Sequence, residues 1–269
     1  MPIYVVGAGG MLGQDVMRAA GAGAIGFTHA ELDVTDAAAV RDALGGADAV
    51  INCAAYTDVD GAEAESAKAH AVNADGAANV AAAAAAAGAR ALYVSTDYVF
   101  DGAKAAPYLE SDPTGPLQEY GHSKLAGEEA TLAASGDHLV VRTSWLFGAG
   151  GRNFVATMQR LAEERKEIRV VDDQTGSPTF TGHLAGALCE LAAGEHTGVL
   201  HVAAAGSCSW FEFARAILEG EDADVQPCAS EDFPRPARRP ANSVLASERG
   251  APELPHWREG LGAYLGVRA

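Results

Sequence analysis

The chain has 269 residues, 48% of them hydrophobic, and its 36 Asp and Glu outweigh 19 Lys and Arg to give a formal net charge of −17. That length buries a large core, as one domain or as a main domain with a smaller lobe. The acidic balance without a basic patch argues against nucleic acid or an anionic membrane as partner, and no apolar run reaches the ~18 residues of a membrane span.

The first predicted element is the strand Ile3-Tyr4-Val5-Val6, so no signal peptide is expected and the chain reads as cytoplasmic. The strand runs into Gly7-Ala8-Gly9-Gly10-Met11-Leu12-Gly13, a glycine pattern that opens an amphipathic helix over 11–20. Glycines at 7, 10 and 13 form a dinucleotide-binding fingerprint: Gly7 for the tight turn, Gly10 for approach to a pyrophosphate, Gly13 for close helix–sheet packing. The phosphates would meet free amides at the helix start. A weak strand follows at 24–28. Thr35 or Asp36 then caps a helix that ends at Leu44.

The next strand, 49–52, ends at Cys53-Ala54-Ala55-Tyr56-Thr57, and a single long alanine-rich helix is expected over 70–87. A strand at 91–95 leads into Ser95-Thr96-Asp97-Tyr98-Val99-Phe100-Asp101-Gly102, and a helix carries Tyr120-Gly121-His122-Ser123-Lys124 before a strand at 139–142. Strands separated by helical crossovers make a parallel sheet covered on both faces, with ligands beyond the carboxyl ends of the strands. Gly7, Ala54, Thr96 and Thr143 fall at those ends, which groups them into one site. The fold class is therefore α/β, a doubly wound Rossmann-type sheet, with a cofactor domain over 1–145. Residues 146–269 form a smaller lobe, part of which returns to the main sheet. In that lobe come a helix at 152–164, a strand at 168–171, the polar loop 172–179, a strand at 199–202 and a proline-rich tail with Arg238-Arg239-Pro240-Ala241-Asn242-Ser243. The four cysteines, Cys53, Cys189, Cys208 and Cys228, are widely spaced and read as reduced thiols.

Tyr120 and Lys124, at i and i+4, share one helix face, so the ammonium is expected to pull the phenol pKa down and make Tyr120 a proton donor. Thr96 would hydrogen-bond the same substrate carbonyl. Tyr98 and Trp145 can equally be core aromatics, Asp172 and Asp173 a solvated loop, and Arg238 and Arg239 a surface pair.

The glycine loop, the Tyr-x-x-x-Lys pair and the upstream Thr resemble the extended short-chain dehydrogenase/reductases. The strings Ala54-Ala55-Tyr56-Thr57-Asp58-Val59-Asp60, 95–102, Arg142-Thr143-Ser144-Trp145, 173–179 and 239–243 resemble the dTDP-4-dehydrorhamnose reductase family over nearly the whole chain. The resemblance implies NAD(P)H-dependent reduction of the 4-keto group of a dTDP-4-dehydro-6-deoxyhexose, with Thr96, Tyr120 and Lys124 catalytic. It implies cofactor contacts from Gly7, Gly10, Met11, Leu12, Gly13, Thr28, His29, Asp33, Val34, Ala54, Ala55, Tyr56 and Asn73 together with Tyr120 and Lys124. It implies substrate contacts from Thr57, Val59, Tyr98, Trp145, Asn153 and Arg239. Segment 27–31 shows neither an acid nor an Arg placed at the strand end for the cofactor ribose, so NADPH and NADH are both expected to serve. Relatives bridged into dimers by magnesium use an acid in the first helix, matched by Asp15, and a second where Gly182 stands here. No metal is therefore expected, and the chain is a monomer or a homodimer. A non-catalytic NADP-binding regulatory subunit is the alternative from another class, and a reductase of a different dTDP-4-keto sugar is the alternative within the same one.

Overall fold

The computed structural model describes residues 2–268; Met1 and Ala269, the outer ends of the two expected domains, lie outside the described residues. Five strands in the first half are β1 (Ile3–Val6), β2 (Ile25–Phe27), β3 (Ala49–Asn52), β4 (Arg90–Thr96) and β5 (Leu139–Thr143). In the second half lie β6 (Glu167–Val171), β7 (Gly198–His201) and β8 (Asp224–Cys228). The helices are α1 (Met11–Ala20), α2 (Ala37–Leu44), α3 (Val59–Ala64), α4 (Ser66–His70) and α5 (Gly76–Ala86), then α6 (Glu119–Ala134) and α7 (Phe154–Glu164). α8 (Thr181–Ala193), α9 (Trp210–Ile217) and α10 (Trp257–Arg268) complete the set. The six-stranded sheet has the order β7-β5-β4-β3-β1-β2, and every pairing in it is parallel.

Successive strand residues point to opposite faces, and here both faces are covered, which is why the middles of the strands are apolar on both sides while polar residues gather toward their ends. Val5, Ile51, Leu92 and Val141 point to the face packed by Leu12 and Val16 of α1 and by Leu184 and Leu188 of α8. Their neighbours Val6, Val50 and Ala91 point the other way, against Val40 and Leu44 of α2 and Val80 and Ala84 of α5. Each such Leu or Val contributes about 1.5–3 kcal/mol. A third core, built from Phe147, Met158, Ile168, Phe213, Trp257 and Tyr264 among others, lies in the second half of the chain, where β6 and β8 pair in parallel.

The 70–87 segment is not one helix. α4 and α5 are joined by a π turn, Ala71–Asp75, whose Asn73 is fully buried. Asp36, not Thr35, caps α2, accepting from the amides of Ala38 and Ala39 at 3.0 Å each. No helix among the described residues is long and apolar enough to cross a membrane.

Candidate active site

The glycine loop is shaped by backbone contact. Gly7 has φ +79° and an added Cβ would stand 2.6 Å from the Ala54 nitrogen, while a Cβ on Gly13 would strike the Gly7 carbonyl. Gly10 precedes α1 without any side-chain cap, and no acid lies in the first turn. Gln14 N is the first amide to reach back, to Gly10 O at 3.0 Å. The amides of Met11, Leu12 and Gly13 before it have no intrahelical partner, so this helix start suits an anionic group such as a pyrophosphate. Leu12 itself is core. A dinucleotide fits this cradle.

At the end of β2 the structure corrects the sequence reading. Glu31 folds back so that its carboxylate accepts from the Thr28 amide at 2.9 Å and from the Thr28 hydroxyl at 2.7 Å. These bonds hold its pKa below the usual carboxylate range. The strand end thus does carry an acid, brought there by a turn that spacing alone does not reveal. His29 is exposed, Asp33 accepts from the amide and hydroxyl of Thr35, and Val34 is buried in the core.

Thr96 and Thr143 are register partners at the carboxyl ends of β4 and β5. The Thr96 hydroxyl donates to Asp97 Oδ1 at 3.0 Å and accepts from the Tyr98 amide at 3.2 Å, and it neighbours the Tyr120 phenol. Tyr98 meets Tyr120 edge-on at 6.2 Å between ring centroids. Lys124 is 2% exposed and lies beneath them, its Nζ donating to Val94 O at 2.7 Å and lying 4.0 Å from the Tyr93 ring centroid. Thr96, Tyr120 and Lys124 therefore converge.

Their electrostatics differ from expectation. The Tyr120 phenol is pushed well above its usual pKa by burial and by the Asp97 charge, with the Thr96 bond opposing. Lys124 is pulled down to about 7 by burial, against the charge of Glu128. The shared helix face is real, but the ammonium turns toward the sheet and is only partly charged near neutrality. The Tyr120 phenol is raised, not lowered, so the Lys–Tyr tuning inferred from spacing is not seen in this arrangement.

Asp97, which was assigned no role from sequence, sits at the centre. Burial pushes its carboxyl up to about 7 against hydrogen bonds from Ser243 and Thr96. Among the described residues, the few buried side-chain atoms with no partner include Asp97 Oδ2, Thr143 Oγ1 and both amide atoms of Gln118, the residue that precedes α6. Buried polar atoms are rarely left unpaired, so such a group around one tyrosine marks a place built to receive polar atoms of a ligand.

Other expected contacts are spent on the scaffold. The Asn73 carboxamide accepts from Tyr56 N at 2.8 Å and donates to Tyr56 O and to Ser123 Oγ, pinning the Ala54–Tyr56 turn to α6. Tyr56 donates its hydroxyl to Glu65 at 2.8 Å. Asn153 is the cap of α7, accepting from Ala156 N and donating to Gly148 O. Ala54 and Ala55 are half-buried beside Gly7, Thr57 is exposed, and Val59 opens α3 behind its Asp58 cap. Asp15 is held by Arg18 and Thr181.

Trp145 is the one described non-glycine residue with positive φ, at +46°. For an L-residue this costs about 1–2 kcal/mol, and such strain collects at functional sites. It is held by an indole N–H donated to Ser243 Oγ at 3.2 Å and by stacking on Trp210, with centroids 3.5 Å apart and planes 2° from parallel. Trp210 was not foreseen; its partner lies far away in sequence and leaves no local signal.

The sequence model of the RmlD substrate binding domain matches residues 1–268. The chain is similar to dTDP-4-dehydrorhamnose reductase of Mycolicibacterium smegmatis, 49% identical over 272 residues that cover 96% of this chain and 83% of that protein. It is similar to the crystal structure of a dTDP-4-dehydrorhamnose reductase from Clostridium acetobutylicum, with TM-score 0.96 and 38% identity over 100% of this chain and 99% of that one. The same enzyme from Bacillus anthracis, solved in complex with NADP, gives TM-score 0.95 and 38% identity over 100% and 99% of the two chains.

Proposed function

Because this chain belongs to the RmlD substrate binding domain family, we propose that it is an NAD(P)H-dependent oxidoreductase that reduces dTDP-4-dehydro-L-rhamnose to dTDP-L-rhamnose. The observation that carries the reading is the convergence of Thr96, Tyr120 and Lys124 amid unpartnered buried polar atoms at the carboxyl ends of β4 and β5. The cofactor is NADPH or NADH and would be held by the Gly7–Gly13 turn and the free amides of α1. When bound, it supplies the hydride that adds to sugar C4.

As hydride adds to C4, the carbonyl electron pair moves to O4, and the Tyr120 phenol gives O4 its proton. The raised pKa of Tyr120 keeps the phenol protonated, so the donor is loaded across the neutral range. Thr96 donates a second hydrogen bond to O4. A placed donor on a developing oxyanion contributes ~3 kcal/mol, and proton transfer ~10²–10⁴-fold. Lys124, anchored on Val94 O and only partly charged near neutrality, would hold the nicotinamide ribose beside the tyrosine. Residues 1–145 carry the cofactor and most of 146–269 shape the substrate lobe; Trp145, at the boundary and braced by Trp210, packs on the sugar, and Arg239 meets the diphosphate.

Consumption of NADPH in the presence of dTDP-4-dehydro-L-rhamnose tests the reading. Wild type should turn over, and Tyr120→Phe should lose at least ~10²-fold in kcat while still binding NADPH. Near-normal turnover in Tyr120→Phe would remove the phenol from the mechanism.

A further inference from the structure

The proline-rich segment after β8 crosses from the second lobe to the first. Pro240 lies against Gly102, where φ is +73° and a Cβ would have no room. Asn242 donates to Lys104 O at 2.7 Å, and the amide of Ser243 donates to Thr175 O at 2.8 Å. Just before these anchors, Arg235 and Arg239 both reach one oxygen of Asp60, each at 3.1 Å, in the first turn of α3. The other Asp60 oxygen accepts from Ala237 N at 3.2 Å. Burial pushes the Asp60 carboxyl up, but the Ala237 amide and the two guanidiniums more than offset this and hold it below its usual range. It is therefore an anion at neutral pH. Arg239 also lies 6.0 Å from the Tyr98 ring centroid, and Tyr98 is edge-on to Tyr120. The cluster stands one aromatic ring away from the proton donor.

Two guanidiniums converging on a single carboxylate present it with the planar forks that also suit a pair of phosphates. We propose that Asp60 is an internal stand-in for the diphosphate of the sugar nucleotide. It gathers Arg235 and Arg239 in the ligand-free chain and yields both to the diphosphate on binding. The proposal rests on the sugar-nucleotide reading above and adds Arg235 to the binding residues. Asp60 competes more than it organises, because the segment keeps its anchors at Gly102, Lys104 and Thr175 without it. With the carboxylate present the cluster carries a single net positive charge; without it the arginines offer two.

Calorimetry with dTDP and with inorganic pyrophosphate tests this on wild type, Asp60→Asn and Arg235→Gln. The asparagine oxygen still accepts from Ala237, so the geometry survives while the competing charge goes. Asp60→Asn is expected to bind dTDP at least ~3-fold more tightly and Arg235→Gln at least ~3-fold more weakly, the scale of a partly exposed charge pair, with NADPH affinity of both within about twofold. Unchanged or weaker dTDP binding by Asp60→Asn overturns the proposal, since the carboxylate would then be a bystander or an orienting group. Unchanged dTDP binding in Arg235→Gln, or joint loss of NADPH binding, overturns it as well. If wild type turns over the sugar and binds dTDP while Asp60→Asn binds no tighter, only the stand-in fails. If wild type binds no dTDP, the sugar-nucleotide reading fails and takes the proposal with it.

Discussion

Two buried groups of the candidate active site set opposite slopes of stability against pH. The folded chain keeps the Asp97 proton to about pH 7, whereas the ordinary value is 3.8. Between those values the folded state binds more protons than the unfolded one, so the Asp97 contribution falls as pH rises. Lys124 does the reverse. Its pKa drops from 10.5 to about 7, so its contribution is largest at alkaline pH and is lost as pH falls through about 7. Together they carve a minimum near neutrality. Melting temperatures measured from about pH 4 to about pH 10 should show Asp97→Asn flattening the acid-side decline and Lys124→Met flattening the alkaline-side rise. An unchanged acid-side slope in Asp97→Asn would assign that decline to another group. Gly7 and Gly13 were legible in the sequence because only glycine survives their backbone contacts. Asn73 and Asn153 were not, because the letter Asn does not say whether its amide faces a ligand or a neighbouring loop.

At the scale of elements, α6 is fixed by a buried ion pair. Arg142 on β5 donates to Glu128 at 2.7, 2.9 and 3.2 Å, and Ser95 on β4 donates to the same carboxylate at 2.5 Å. Glu128 lies one turn after Lys124, and Ser95 immediately precedes Thr96, so the pair sets the helix against the two strand ends that carry the site. Glu128→Ala should cost about 3–5 kcal/mol in urea unfolding because it strands a buried guanidinium. The double change Glu128→Leu with Arg142→Met should cost clearly less, since no charge is left behind. A double variant as unstable as the single one would mean that shape, not charge, is what the pair supplies. The strands could be read from apolar runs bounded by glycine and polar residues. The π turn at Ala71–Asp75 could not, because an alanine-rich stretch has almost no periodic signal with which to mark an interruption.

Seen whole, the two halves of the chain are not independent bodies. β7 comes from the second half and closes the sheet beside β5, and α8 covers α1 with Leu184 and Leu188 packed on Val16. The alternation of strands and helices was enough to give a parallel sheet. That the last strand joins beside β5 is decided by tertiary packing and by the strap that crosses between the lobes. A fragment of residues 1–145 should therefore show no cooperative thermal transition and bind no NADPH; a fragment that did both would make β7 and α8 dispensable to the cofactor half. The late position of β7 also has a consequence for synthesis. A ribosome delivers β5 nearly sixty residues before its partner at 198–201, so a nascent chain carries an unpaired strand edge, apolar over 139–141, for several seconds at ordinary elongation rates of roughly 5–20 residues per second. During that interval the chain depends on chaperone shielding or on slow release, and slowing translation between β5 and β7 should raise the aggregated fraction without altering the finished enzyme.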